Sequence, residues 1–184
     1  GGPEAAEGAG GRYTLIFETE RLYLREMGQP DFEALCEILQ DEKAMYAYEG
    51  VFSSTEVQEW LDRQLDRYRK YGFGLWAVVL KESGEMIGQC GLTMQPWKER
   101  EVLEIGYLFK RRYWHKGYAT EAAEACKRYA FHVLDADEVC SIIRNTNTAS
   151  QNVAIRNGMT VVDTWTKHYR GADMPHDRYV IYRR

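Results

Sequence analysis

One junction limits the possible folds more than any other feature of the chain. An extended run, Glu101 to Phe109 (EVLEIGYLF), enters a glycine-containing turn and then a helix carrying Ala119, Ala122, Ala123, Cys126 and Ala130 along one face. A second extended run, Val139 to Arg144, follows. Strand, helix and strand in this order make a β-α-β crossover, which requires at least one parallel strand pair. Upstream, Leu75 to Lys81 and Glu85 to Gln95 flank the turn residues Glu82-Ser83-Gly84, which predicts an antiparallel hairpin. The sheet is therefore mixed: largely antiparallel in its first half, with one crossover in its second.

The remaining elements fit around that sheet. Leu15 to Phe17 and Leu22 to Arg25 are extended. A helix starts at Pro30-Asp31, with Phe32, Leu35, Cys36 and Leu39 at helical spacing. A second begins at Ser53, where Ser53 and Glu56 form a capping-box pattern, and ends near Tyr71-Gly72. A short helix spans Asn147 to Asn157 and is closed by Gly158; Thr148 and Gln151 repeat the capping-box spacing. Two strands, Met159 to Tyr169 and Arg178 to Tyr182, finish the chain, joined by the turn-rich RGADMPHD. The low-complexity GGPEAAEGAGG opening makes residues 1–12 a flexible tail, and residues 13–184 a single domain.

A net charge of −4 gives no global electrostatic case for nucleic acid or an anionic membrane, and leans toward a cationic acceptor such as an amine or basic peptide. Cys36, Cys90, Cys126 and Cys140 are scattered among apolar neighbours, without metal-site spacing. They are expected as buried free thiols in a reducing compartment, and the chain as cytoplasmic, monomeric or homodimeric, and without a metal. The longest apolar run, Leu75 to Leu80, is too short to span a bilayer, and no basic-then-apolar segment opens the chain. His168 and His176 read as surface or loop histidines.

The stretch YWHKGYATEA, Tyr113 to Ala122, places bare backbone and positive charge at the mouth of a helix. A helix N-terminus leaves N–H groups unpaired and carries about half a positive charge. Gly117 lets the backbone approach a ligand, Ala119 keeps the next turn close, and Thr120 offers a hydroxyl. Lys116 with Arg111 or Arg112 supplies charge. The site suits a pyrophosphate.

These residues, with EIGYLF before them and NTASQNVAIRNGM after them, resemble the acyl-CoA motif of the GNAT N-acetyltransferase superfamily. The branch most resembled contains ribosomal-protein N-terminal acetyltransferases, whose opening TERLYLRE (Thr19 to Glu26) is similar to. The resemblance implies an α/β (α+β) fold: a mixed, mostly antiparallel central sheet splayed in a V, flanked by about four helices, with acetyl-CoA in the cleft. The family pattern R/Q-x-x-G-x-G/A falls on Trp114, His115, Lys116, Gly117, Tyr118 and Ala119. Gly117 and Ala119 match it. Trp114 stands where Arg or Gln is usual, and His115 where glycine is common.

Acetyl transfer from a thioester to a primary amine needs a neutral amine, a donor for the developing oxyanion and a proton for the departing thiolate. The resemblance assigns acetyl and pantetheine contacts to Gly106, Tyr107 and Leu108, through a bulge in their strand. It gives the pyrophosphate to Trp114, His115, Lys116, Gly117, Tyr118, Ala119 and Thr120, and pantetheine to Asn147. Arg112 and Asn152 are further candidates for the CoA phosphates.

Glu104 lies two residues before Gly106 on the same strand face, placed to take the amine proton or to anchor the acceptor, with water as the competing base. The tyrosine that many relatives use as thiolate acid is replaced by Ala154, which leaves Ser150, or water, to protonate the sulfur. An α-amine with pKa near 7.8 is about one-seventh neutral at pH 7, at a cost of about 1 kcal/mol, against about 4.6 kcal/mol for a lysine amine. A protein N-terminus or a small low-pKa amine therefore fits better. Tyr46, Tyr48, Trp97 and the HYRGADMPHDRY segment are candidate rim elements for the acceptor. The rival readings are a non-catalytic acyl-CoA sensor or interaction module, motivated by Ala154, and an ATP-phosphate enzyme, for which no G-x-x-x-x-G-K-[ST] exists.

Overall fold

A computed structural model of the chain describes residues 4–8, 11–48, 50–169 and 171–184. The chain opens with strands β1 (Glu4–Gly8), β2 (Gly11–Glu18) and β3 (Leu22–Arg25), then helices α1 (Phe32–Leu39) and α2 (Ser54–Tyr71). Strands β4 (Leu75–Leu80), β5 (Met86–Trp97) and β6 (Arg100–Phe109) lead to α3 (Tyr118–His132) and β7 (Glu138–Arg144). Helix α4 (Thr148–Arg156) and the hairpin β8 (Thr160–Tyr169) and β9 (Ala172–Tyr182) complete the order. Among the described residues one sheet runs through all nine strands, in the order β1-β2-β3-β4-β5-β6-β7-β9-β8. Every pair is antiparallel except β6 with β7. The mixed sheet, the four helices and the single crossover are those expected.

Local chemistry fixes the helix ends. The predicted capping box is present: Ser53 Oγ accepts from Glu56 N–H at 3.1 Å, and Glu56 Oε1 accepts from Ser53 N–H at 3.0 Å. Gly72, at φ +78°, closes α2 in the left-handed region that glycine tolerates without cost. In α4 the cap is Asn147, whose Oδ1 accepts from Ser150 N–H at 3.2 Å. Gln151 does not complete a box with Thr148; it turns to the Asn145 carbonyl at 2.9 Å.

The two sheet faces carry separate cores. On one, Trp76, Cys90, Leu92 and Ile105 pack against Ala122, Ala123, Cys126 and Ala130 of α3. These small residues let the helix axis come close to the strands, as the alanine spacing predicted. On the other, Leu75, Ala77 and Met86 pack against Leu35, Leu39, Val57 and Leu61 of α1 and α2. Cys90, Cys126 and Cys140 are buried free thiols, whereas Cys36 is only half-buried.

Two segments depart from the sequence reading. Glu4–Gly8, within the stretch expected as a flexible tail, pairs antiparallel with β2. Such pairing runs through the backbone, so side-chain composition gave no sign of it. The rest of that stretch before residue 11 lies outside the described residues. Most of RGADMPHD is strand rather than loop: β8 and β9 pair from Thr160–Val180 to Tyr169–Ala172. Gly171, at φ +77°, stands at the reversal. Pro175, read as a loop residue, sits inside β9, where its carbonyl accepts from Asn145 N–H at 3.0 Å.

Candidate active site

Strands β6 and β7 pair at one register position, Glu104 with Cys140, and then part. A parted ladder leaves backbone groups without partners, and two side chains take them up at the fork. Ser141 Oγ–H donates to the Ile105 carbonyl at 2.9 Å, and the Glu104 carboxylate accepts the Ile142 N–H at 2.7 Å. Both bonds cross between the strands where main-chain pairing has stopped, so the sequence itself supplies the wedge. The fork opens into a cleft of about 390 Å³, whose walls include Glu104 to Leu108, Ser141 to Arg144, Asn147 and Ser150.

Strand alternation assigns the faces. Cross-strand partners share a face, so Glu104, Gly106 and Leu108 lie with Thr93, Gly91 and Gln89 of β5, under α2. The register between β5 and β6 is unbroken from Gly88–Phe109 to Trp97–Arg100, so the bulge expected at Gly106 is absent. The divergence of β7 supplies free main-chain groups instead. The Ile105 carbonyl points toward β7 and the Lys110 N–H toward β5, where it meets Ile87 at 2.9 Å. By alternation the Tyr107 main chain faces the gap. Its side chain takes the opposite face, where the hydroxyl donates to the Ser150 carbonyl at 3.1 Å. Burial pushes that phenol far above its ordinary pKa, so it stays a neutral donor.

Glu104 is half-buried at the floor of the fork. Desolvation pushes its carboxyl up to about 7, against the Ile142 N–H bond and the Lys167 and Arg67 charges, which pull it down. A carboxyl poised there is half-ionised at neutral pH and able to accept a proton from a reacting amine. Gly106 leaves room in front of it. A Cβ at that position would come 3.9 Å from Glu104 Oε1 and 3.7 Å from Leu75 Cδ2.

Helix α3 starts at the end of the sheet where β6 emerges. Gly117, at φ +80°, is its N-cap, and no side chain caps the first turn. Residues His115 to Gly117 are exposed, and His115 also has a positive φ of 62°. Arg21 pins the mouth: its Nε pairs with Glu121 at 2.7 Å, its Nη1 donates to the Lys116 carbonyl at 3.0 Å, and its guanidinium lies 4.3 Å from the Tyr118 ring centre. The first-turn N–H groups therefore sit at the surface in a fixed frame, open to an anion.

The structure thus brings Glu104, Gly106, Tyr107, Leu108, Asn147 and Ser150 together around one cleft. Trp114, His115, Lys116, Gly117, Tyr118, Ala119 and Thr120 form the separate helix mouth beyond its walls. The Trp114 indole is spent on the Phe109 carbonyl, 2.9 Å away. Asn152 is exposed on α4, away from the walls. Tyr46 is an outer neighbour: its hydroxyl meets Thr146 Oγ1 at 3.3 Å and its ring lies 5.0 Å from the guanidinium of Arg144, a wall residue.

Two expectations are corrected. Trp97 is no rim residue; it is 1% exposed, edge-on to Trp165, with its indole N–H on Asp163 at 3.0 Å. Arg112 is paired with Glu37 and Glu85 on the α1 side, which satisfies its charge away from the helix mouth. His168 is exposed, as expected of a surface histidine, and His176 is half-buried rather than in a loop; both stand on the β8–β9 hairpin beside the cleft. Sequence reasoning also passed over Gln89, Thr93, Arg63, Arg67 and Lys167 in its walls. The alternation of Gln89, Thr93 and Gln95 with apolar Cys90, Leu92 and Met94 was a usable signal for the first two.

The sequence profile described as "Acetyltransferase (GNAT) domain" matches residues 21–160. The chain belongs to the GNAT acetyltransferase family. It is an acyltransferase, and the expected family resemblance holds. Among relatives, YkkB of Bacillus subtilis (strain 168) is 37% identical over 153 residues, 81% of this chain and 89% of that protein. An acetyltransferase structure from Agrobacterium tumefaciens str. C58 matches with a TM-score of 0.77 and 26% identity, over 97% of this chain and 99% of that one. RimL, the ribosomal L7/L12 alpha-N-protein acetyltransferase, solved with coenzyme A, shares the fold with a TM-score of 0.75 at 19% identity, over 91% and 97% of the two chains.

Proposed function

We propose that this acyltransferase uses acetyl-CoA and transfers the acetyl group to a primary amine, a protein N-terminus or a small-molecule amine, by direct attack. The observation that carries the proposal is the fork: a carboxylate poised near neutrality, Glu104, beside a free main-chain edge at Tyr107. The coenzyme A bound by RimL, which shares the fold, supports acetyl-CoA as the donor.

In this reading the diphosphate rests on the main chain of Trp114 to Thr120 at the α3 mouth. Pantetheine runs along Gly106 to Leu108 toward Asn147 and Ser150. The amine nitrogen attacks the thioester carbon, and a carbon–nitrogen bond forms. The carbonyl electrons move to oxygen, which the Tyr107 N–H stabilises. Glu104, directly or through ordered water, takes the proton the nitrogen sheds. The carbon–sulfur bond then breaks, and the thiolate takes a proton from Ser150 or water. Ser150 is suited because it lines the cleft with its N–H and carbonyl held by Asn147 and Tyr107 and its hydroxyl beside the Tyr107 phenol. Ala154, where many relatives have the acid, is buried in the core.

The test mixes the protein with acetyl-CoA and a broad amine panel and follows free thiol. Amine-dependent thiol release that drops in Ser150→Ala and Glu104→Gln supports this reading. A melting shift on acetyl-CoA with no turnover of any amine replaces it with a non-catalytic sensor.

A further inference from the structure

The acceptor face of the cleft carries a charge that the whole chain does not. Its walls include Arg63, Arg67, Arg144 and Lys167, and among the described residues Glu104 is the one carboxylate with them. Arg63, Arg67 and Lys167 form no ion pair with a carboxylate among the described residues. Arg67 instead donates to Gln64 Oε1 at 3.0 Å, and Lys167 leans over the Trp165 ring at 5.9 Å. Desolvation and the neighbouring Arg63 charge both make the Arg67 cation costlier to hold. A protein with a net charge of −4 has thus gathered cations in excess around a single described carboxylate, with Arg63, Arg67 and Lys167 outside any ion pair among the described residues.

A second, independent observation points to the same ligand chemistry. Gln89 lines the cleft at 0% exposure, and its Oε1 accepts the Trp60 indole N–H at 3.0 Å. An indole nitrogen can only donate, so the amide oxygen must face it and the NH2 group must face away. That Nε2 has no partner among the described residues. Gln89 shares the strand face of Gly106 and Glu104, under α2, the helix that carries Arg63 and Arg67. A buried donor without an acceptor, beside cations that outnumber the one carboxylate near them, is a half-made site for an oxyanion.

We infer that the acceptor amine carries an oxyanion, a carboxylate in the first instance, within a few bonds of its nitrogen, seated by Arg67, Lys167 and the Gln89 NH2 while Glu104 faces the amine. The inference rests on the acetyl-transfer reading and narrows its substrate class. It reverses the leaning toward a basic acceptor taken from net charge. A seated oxyanion would also offset the two positive charges that pull the Glu104 carboxyl down, so the base strengthens when the right acceptor binds.

The experiment compares acids with their amides at saturating acetyl-CoA: glycine, β-alanine, serine and aspartate against glycinamide, β-alaninamide, serinamide and asparaginamide. Peptides opening Ser-Asp or Ser-Lys separate a free amino acid from a protein N-terminus as the source of the anion. The amino groups of these amides are less basic than those of the acids, so at neutral pH more of each amide is in its reactive neutral form, and a preference for acids there comes from binding. The acid-to-amide ratio of kcat/KM is expected to be about tenfold or more, carried by KM, and to collapse in Arg67→Gln. The acetyl-CoA melting shift reports that this variant is folded and still loads donor. Lys167→Gln, on a half-buried strand position, gives the same readout if Arg67→Gln does not fold. Equal thiol release from acids and amides leaves acetyl transfer standing and overturns this inference. So does an unchanged ratio in a folded Arg67→Gln. If no amine turns over, the acids must still raise the melting temperature of the CoA-loaded protein more than the amides do, and failure there also overturns it.

Discussion

Gly106→Ala separates folding from function at a single methyl group. The added Cβ would meet Leu75 Cδ2 at 3.7 Å and Glu104 Oε1 at 3.9 Å, ordinary contact distances that require no shift of the backbone. Glycine inside a strand costs about 0.5–1 kcal/mol relative to alanine, because the unfolded chain has more freedom to lose. The variant should therefore melt at or slightly above the wild-type temperature, by about 1–4 °C for a chain of this size. Its cleft is another matter. The methyl projects on the face of the Glu104 carboxylate, into the space that the amine and the acetyl carbon must share. A displacement of about 1 Å in a reacting pair costs on the order of a hundredfold in rate. Thermal melting and acetyl-CoA thiol release on one preparation read both effects. A Gly106→Ala protein that melts normally and turns over at the wild-type rate would refute the placement of the reacting atoms. One that fails to fold would refute the packing argument.

Ser141→Ala should cost about 1–2 kcal/mol in urea unfolding, because it strips the Ile105 carbonyl of the partner that replaces a ladder bond at the fork. Glu104→Gln should change stability with a definite sign. The carboxyl titrates near 7 in the folded protein against an ordinary value near 4.5, so the folded state keeps a proton that the unfolded chain releases between those values. The wild type therefore loses about 3 kcal/mol as pH rises from about 4.5 to 7, and the glutamine variant should lose that slope and melt higher at pH 8. Gly117→Ala forces a side chain into φ +80°, with its Cβ 3.4 Å from Arg21 Nη2. About 1–2 kcal/mol of destabilisation is expected, with weaker acetyl-CoA binding seen as a smaller melting shift.

What the sequence revealed depended on whether a signal was local. The Ser53–Glu56 box, the Gly117 mouth and the two-residue spacing of Glu104 and Gly106 are decided within a few residues, and the structure has each in place. The fork was legible only through family resemblance, because its wedge joins Ile105 to Ser141 and Glu104 to Ile142 across a helix. The expected bulge was wrong for the same reason: a glycine in a strand can mark a bulge or simply open space, and nothing near Gly106 decides between them. Trp97 misled because an aromatic at a strand end reads equally as rim or core, and its partners Asp163 and Trp165 lie far along the chain. The cationic acceptor wall escaped notice because Arg63 and Arg67 on α2 meet Lys167 on β8 only after folding, while the summed charge pointed the other way.

The most direct test of the account is the pH dependence of kcat/KM for wild type and Glu104→Gln. The acceptor should be a weakly basic amine, neutral across pH 5.5 to 9, so that the enzyme's group is seen alone. The wild-type rate should rise and level off with an inflection near pH 7, where Glu104 loses its proton. Glu104→Gln should lack that inflection and run about a hundredfold or more slower at pH 8. A glutamine variant with the wild-type inflection, or within a few-fold of the wild-type rate, would contradict the assignment of Glu104 as proton acceptor.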